Sequence, residues 1–238
     1  MSINRRSMLC AVGAVAGLAA FNPRRSWGAD SMRIGVIGAG SLGGTVGRLW
    51  VQAGHQVMFS SRHPEELASM TRELGARASA GTPRQAAEFG EVLLFAVPYE
   101  ALTQLGRELQ PLLKNKVVLD ACNPRNDAFA REAEANGVGA TSAKYLPGAR
   151  LVRAFSAVDA TAIAASARRE EDKVGVPIAG DETQAVNVAA QLVRDAGCEP
   201  VIVGNLAAAR SFQRGSPGFR ANTTARELRR LLDQPATR

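Results

Sequence analysis

Arg33-Ile34-Gly35-Val36-Ile37-Gly38-Ala39-Gly40-Ser41-Leu42-Gly43 reads as an apolar strand that ends in G-x-G-x-x-G and runs into a helical stretch over 42–53. A glycine string alone carries little, but between a strand and a helix it is a phosphate-binding turn. Gly38 permits the tight turn, Gly40 lets the backbone approach a pyrophosphate that a side chain would obstruct, and Gly43 lets the helix pack close to the strand. The helix start at Ser41 and Leu42 adds unpaired N–H groups and a partial positive charge. The expected ligand is therefore a dinucleotide.

The pattern repeats outward from this turn. Residues 56–60 (QVMFS) return to strand character, and 64–74 read as a helix with Pro64 in its first turn. EVLLFAV at 91–97 is a continuous apolar run, as expected of a parallel strand covered on both faces. A helix over 99–109 and a strand over 116–121 follow, then less regular sequence after Asn123. Further strands are expected at 150–155, 174–179 and 199–203, a strong helix over 181–196, and a short amphipathic one over 224–232. Strand–helix alternation of this kind predicts an α/β fold, a Rossmann-type doubly wound and mostly parallel sheet. Residues 30–238 then form a dinucleotide-binding domain with a small C-terminal α/β extension.

The end of the second strand selects the cofactor. An NAD site places an acid there for the ribose 2′-hydroxyl. This chain has Ser60-Ser61-Arg62-His63 and no acid before Glu65. A hydroxyl and a forked, permanently charged guanidinium suit a 2′-phosphate. The expectation is NADP(H), with Ser61 and Arg62 as discriminators.

IGVIGAGSLGG, SSRHPEEL, LLFAVP, LDACNP and LPGARLVRAFS together resemble the NADPH:F420 oxidoreductase-like family, and the later AGDETQA and GSPGF segments are similar to its bacterial members. The likeness runs from Met32 towards the C-terminus and is densest before Phe155. A domain of this kind also forms the NADPH-binding part of membrane ferric reductases. The resemblance implies that Ala96, Val97 and Pro98 line the cofactor near its phosphates and nicotinamide ribose. It implies that Asn123 and Pro124 close over the nicotinamide side, and that Ala154, Phe155 and Ser156 line the pocket of the hydride acceptor. That acceptor would be F420, a flavin or a ferric species. The family often carries Asn where this chain has Ser156, which leaves the acceptor's identity open.

The 238 residues are 46% apolar and 21% charged, enough for a sizeable core and unlike a disordered chain. Three cysteines and two histidines give no basis for a disulfide scaffold or a metal site. The net charge is +7; four arginines against Asp30 put +3 of it in residues 1–31 and leave +4 for the rest. With 5% aromatics, that balance is not the footprint of a nucleic-acid binder. The expected partner is a small-molecule acceptor, with a homodimer as the commonest assembly.

Residues 1–29 read as an address. Arg5 and Arg6 precede an uncharged run over 8–21, followed by Arg24, Arg25 and small residues at Gly28 and Ala29. This resembles a twin-arginine export signal and predicts a periplasmic or exported protein. The run is too short to span a bilayer comfortably, so no stable membrane span is expected once the signal is removed. A start at Met32 would instead give a cytoplasmic protein.

Reduction of a carbonyl needs a proton donor beside the hydride. His55 lies before the second strand and His63 on the adenosine side, and neither Tyr99 nor Tyr145 is followed four residues later by lysine. Lys144 and Tyr145 read as surface and packing residues, Cys122 and Cys198 as small thiols. No catalytic acid–base residue is named. The shortage suits direct hydride transfer between two cofactors, where the protein supplies position and excludes water. Reduction of a small carbonyl or imine, and a nucleotide-binding module without chemistry, are the two alternatives.

Overall fold

A computed structural model describes residues 31–125 and 128–233. The export segment expected over 1–29 lies outside the described residues.

One eight-stranded sheet organises the molecule, in the order β3-β2-β1-β4-β5-β6-β7-β8. The strands are β1 (Arg33–Ile37), β2 (Gln56–Ser60), β3 (Ala78–Gly81), β4 (Val92–Phe95), β5 (Val117–Asp120), β6 (Arg150–Arg153), β7 (Gly175–Gly180) and β8 (Glu199–Gly204). Every pairing is parallel except β6–β7. The first six strands follow the 3-2-1-4-5-6 order of doubly wound dinucleotide-binding sheets. The expected extension is built as β7 and β8, two more strands of the same sheet.

Helices cover both faces. α1 (Ser41–Gln52) follows β1, and α2 (Ala68–Leu74) continues a 3-10 turn at Pro64–Leu67. α3 (Pro83–Phe89), α4 (Leu102–Leu113), α5 (Ala128–Asn136), α6 (Val138–Tyr145), α7 (Ala160–Ser166), α8 (Thr183–Asp195) and α9 (Ala225–Asp233) complete the set, with a 3-10 stretch at Leu206–Phe212. All four residues of β4 and of β5 are buried, which is why both read as unbroken apolar runs. One core packs Ile34, Val36 and Leu94 beneath Trp50 and Val46 of α1 and Leu192 of α8; the other packs Ile37, Leu93 and Phe95 beneath Leu102, Leu109 and Tyr99. Each such side chain, fully buried, contributes roughly 1.5–3 kcal/mol. Trp50 also donates its indole N–H to the Leu192 carbonyl at 2.7 Å, tying α1 to α8 across the chain.

The N-terminal rim of the sheet is closed by a buried histidine. Met32 N–H donates to His55 Nδ1 at 3.1 Å, which leaves Nε2 to donate to Asp195 Oδ2 at 3.0 Å. His55 thus staples the start of β1 to the end of α8, a structural role far from the glycine turn. The mixed charge run at 168–173 is a solvated turn apart from the half-buried Lys173. On α9, Arg229 pairs with Glu199 and Arg230 with Glu227 on the exposed face, while Leu228 is buried. Among the described residues no helix is long and apolar enough to cross a membrane, and no group of three His, Cys, Asp or Glu is placed to hold a metal ion.

Candidate functional site

The C-terminal ends of β1, β2 and β4 meet at the point where the chain reverses its direction of winding. Order there comes from short bonds. Ser60 Oγ donates to the Val36 carbonyl at 2.9 Å, Ala39 N–H donates to the Ser60 carbonyl at 3.0 Å, and Ala96 N–H donates to the Ile37 carbonyl at 2.9 Å. The turn after β1 is thus held from both sides.

Its three glycines have different reasons. Gly38 has φ +100, and a Cβ there would stand 2.6 Å from the Ala96 carbonyl oxygen. At Gly43 a Cβ would stand 2.1 Å from the Gly38 carbonyl oxygen. The protein itself demands both. Gly40 has φ −72 and ψ −161, open to any residue, and a Cβ there meets nothing within 4 Å. Neither conformation nor packing requires glycine at that position. Gly40 and Ser41 are exposed and open the twelve-residue α1, whose first turn has no side-chain cap and no acid. The unpaired N–H groups of that turn and its positive end face outward, the arrangement that receives an anion.

Ser61 and Arg62 follow directly at the end of β2. Ser61 Oγ accepts from His63 N–H at 3.1 Å and shapes the loop. Arg62 is exposed, and among the described residues its guanidinium has no partner. The neighbouring Glu65 lies 3.5 Å from His63 instead. Ala96 and Val97 are half-buried against the glycine turn, and Pro98 is exposed.

The ends of β5 and β6 carry a network that the glycine fingerprint gives no hint of. Asp120 and Arg153 are partners in the parallel register, both fully buried, and pair at 2.5 Å. The Arg153 guanidinium also donates to the Cys122 carbonyl at 2.6 Å and to Asn123 Oδ1 at 3.0 Å. Asn123 Nδ2 in turn donates to the Ser156 carbonyl at 2.6 Å. Both ends of the Asn123 amide are therefore held. Arg153 Nε and Ser156 Oγ are buried without a partner. The signal for this network lay in two charges closing the apolar strands VVLD and RLVR; only the register makes them neighbours.

Ala154 and Phe155 are fully buried. Phe155 takes a left-handed backbone at φ +60, and its ring packs edge-on against Trp50 with centroids 5.9 Å apart. The Phe155 ring thus faces the core below α1 and not a cleft. Backbone strain of this kind persists only where its surroundings fix it, and here it brings the chain back to Asn123.

The titratable side chains nearby are engaged. Burial pushes the Cys122 thiol well up, and its Sγ donates to the Phe95 carbonyl. Burial also raises Tyr99, whose hydroxyl meets Ser142 Oγ at 3.1 Å. Desolvation and the Glu132 carboxylate push Tyr145 up to about 12, while Lys144 and Tyr145 hold Glu132 below its ordinary value. Asn123 and Pro124 also form one wall of a cleft of about 920 Å³, bounded further by α5, residues 210–217 and Leu231 and Leu232 of α9.

These features are shared with known proteins to a measurable extent. Residues 33–124 match the protein family described as NADP oxidoreductase, coenzyme F420-dependent. The matched stretch runs from β1 through β5 to Pro124 and contains the glycine turn, Arg62 and Asn123. Metalloreductase STEAP3 of Rattus norvegicus is 27% identical over 188 residues, 77% of this chain and 36% of that one. The chain thus spans about a third of that relative's length. A hypothetical protein of Sinorhizobium meliloti has the same fold at a TM-score of 0.68, with 25% identity over 81% of this chain and 95% of its own. A putative F420-dependent NADP reductase of Arthrobacter sp. FB24 aligns at a TM-score of 0.66, with 19% identity over 76% of this chain and 88% of its own.

Proposed function

We propose that this chain is an NADP(H)-dependent oxidoreductase that passes hydride between NADPH and a flavin-like, deazaflavin or ferric acceptor. One observation carries the cofactor half of the reading: Gly40 is a glycine that the protein does not need for itself. A side chain there is excluded only if something else occupies the space above the first turn of α1, and a pyrophosphate fits the unpaired N–H groups beside it.

In this reading the backbone from Gly38 to Gly43, with Ser41 and Leu42, holds the pyrophosphate. Arg62, just past the end of β2 and without a partner among the described residues, binds the 2′-phosphate through its fork, with Ser61 shaping the loop. Ala96, Val97 and Pro98 support the middle of the cofactor. Asn123 and Pro124 stand at the nicotinamide end, with the Asn123 amide fixed by Arg153 and the Ser156 carbonyl. The bound nicotinamide supplies the hydride. Asp120 and Cys122, the acids beside Asn123, are buried and engaged, which favours an acceptor that takes hydride without a protein proton. The protein's contribution is position and exclusion of water.

The test combines binding and turnover. NADPH and NADH are titrated against the wild type, Gly40→Val and Arg62→Ala, and NADPH absorbance is followed with F420, free flavins and a ferric chelate supplied separately. Gly40→Val should keep its melting temperature and lose dinucleotide binding. Arg62→Ala should lose about ten- to a hundredfold in preference for NADPH over NADH, the factor of a charge-assisted hydrogen bond. Unchanged NADPH affinity in Gly40→Val would overturn the reading.

A further inference from the structure

We infer that the cleft beside Asn123 and Pro124 recognises an anionic substituent of the acceptor, a phosphate or carboxylate, through Arg125 and Arg214. The inference rests on the reading above, because Asn123 and Pro124 are assigned there to the nicotinamide end and here wall the cleft.

Three guanidinium groups line this cleft, from Arg125, Arg210 and Arg214, against one carboxylate, from Glu134, among the described lining residues. They are not equivalent. Arg210 donates to the carbonyls of Glu134 and Ala135, both at 2.9 Å, and so closes the end of α5. Its charge remains but its terminal nitrogens are used. Arg214 is held differently. Its Nε donates to the Pro124 carbonyl at 3.3 Å and its guanidinium lies over the Phe219 ring, 5.0 Å from the centroid. Stacking and one bond fix the plane of the group, and among the described residues its two terminal nitrogens have no partner. Arg125 is exposed and likewise unpaired among the described residues.

A guanidinium fixed in plane with its terminal donors free is preorganised for bidentate contact with an oxyanion. The remaining walls are partly apolar, from Pro124, Val138, Leu231 and Leu232. Leu231 and Leu232 are only half-buried although they sit on the inward side of α9. An apolar wall with fixed cationic donors suits a flat ring bearing a charged tail, and suits neither a wholly neutral ring nor a bare ion. The ring would stand at Asn123 and the anion would reach towards Arg214 and Arg125.

FMN and riboflavin isolate the claim, since they share one ring system and differ by a phosphate. The full-length protein, loaded with NADP+, is titrated with each flavin by fluorescence quenching; KM values with NADPH are measured in parallel. FMN should bind about ten- to a hundredfold more tightly than riboflavin. Arg214→Ala and, separately, Arg125→Ala should shrink that ratio about tenfold or more. Arg125 has no partner to lose among the described residues, so its variant keeps the test valid if the Arg214 substitution disturbs the Pro124 loop. Equal binding of the two flavins, or variants that leave the ratio intact, would overturn the inference. Failure of every acceptor to oxidise NADPH would overturn the functional reading instead, and binding measured without turnover keeps the two results separate.

Discussion

Replacing Arg153 by Met tests the network at the ends of β5 and β6 most directly. Methionine keeps much of the apolar stem and removes the guanidinium. The Asp120 carboxylate then stays fully buried, keeps the hydrogen bond from Cys122 N–H at 2.9 Å and loses its ion pair. Breaking a buried pair by removing one partner costs about 3–5 kcal/mol, because the remaining charge is uncompensated. For a domain of this size each kcal/mol lowers the melting temperature by about 2–4 °C. Arg153→Met should therefore melt about 6–20 °C below the wild type. The double variant Asp120→Asn, Arg153→Met removes the stranded charge and keeps an acceptor for Cys122, so it should regain about 2 kcal/mol or more over the single one. Arg153→Lys keeps the charge but cannot reach Asp120, Cys122 and Asn123 together, and should lose only about 1–2 kcal/mol. Thermal and urea unfolding, followed by circular dichroism, give all three values. A single variant as stable as the wild type, or a double variant no better than the single one, would refute the reasoning.

Two further outcomes follow from the same geometry. Gly43→Ala would put a Cβ 2.1 Å from the Gly38 carbonyl, so a backbone shift costing about 1–3 kcal/mol is expected in urea unfolding, whereas Gly40→Val, open on that side, should unfold like the wild type. Arg220 and Asn222 hold Asp159 below its ordinary value, with the Arg220 contact at 2.7 Å the larger cause. A carboxylate depressed in the folded state contributes stability above its unfolded value of about 4 and loses it as pH falls; Asp159→Asn should thus flatten the acid side of the stability profile and leave its slope near neutrality unchanged.

Local signals made part of this molecule legible. The residues that form β1 and β2 are the ones that their apolar patterns mark, since a fingerprint turn and a short apolar strand are both written in adjacent positions. β3 is not marked by its sequence because Ala78-Ser79-Ala80-Gly81 is all small, and its first three residues are half-buried, with nothing for a pattern to register. α3 has a start written in its residues: Thr82 and Gln85 form a capping box, with Pro83 in the first turn. α5 and α6 are alanine-rich and weakly patterned, and their helical form depends on packing between them and against Leu206–Phe212. The antiparallel turn of β7 against β6 is a matter of direction, which strand residues do not encode. Of the candidate site, the glycine turn was legible because its residues are contiguous. The Asp120–Arg153 pair needed strand register, and the cleft needed three segments far apart in the chain. Phe155 was legible as a special position but not for where its ring points, because one left-handed residue turns it inward.

The staple of Met32 by His55 fixes where β1 enters the sheet, and so which rim of the domain is free for chemistry carried out from outside. Five residues of β1 separate that entry from the glycine turn, about 17 Å of strand. A molecule tethered at Ser31 to an electrode or bead would hold the glycine turn, at the opposite end of β1, away from the support. A tether at Asp233, the end of α9, would bring Leu231 and Leu232, and with them the cleft, towards the support. The choice of handle thus decides which of the two faces meets the solvent.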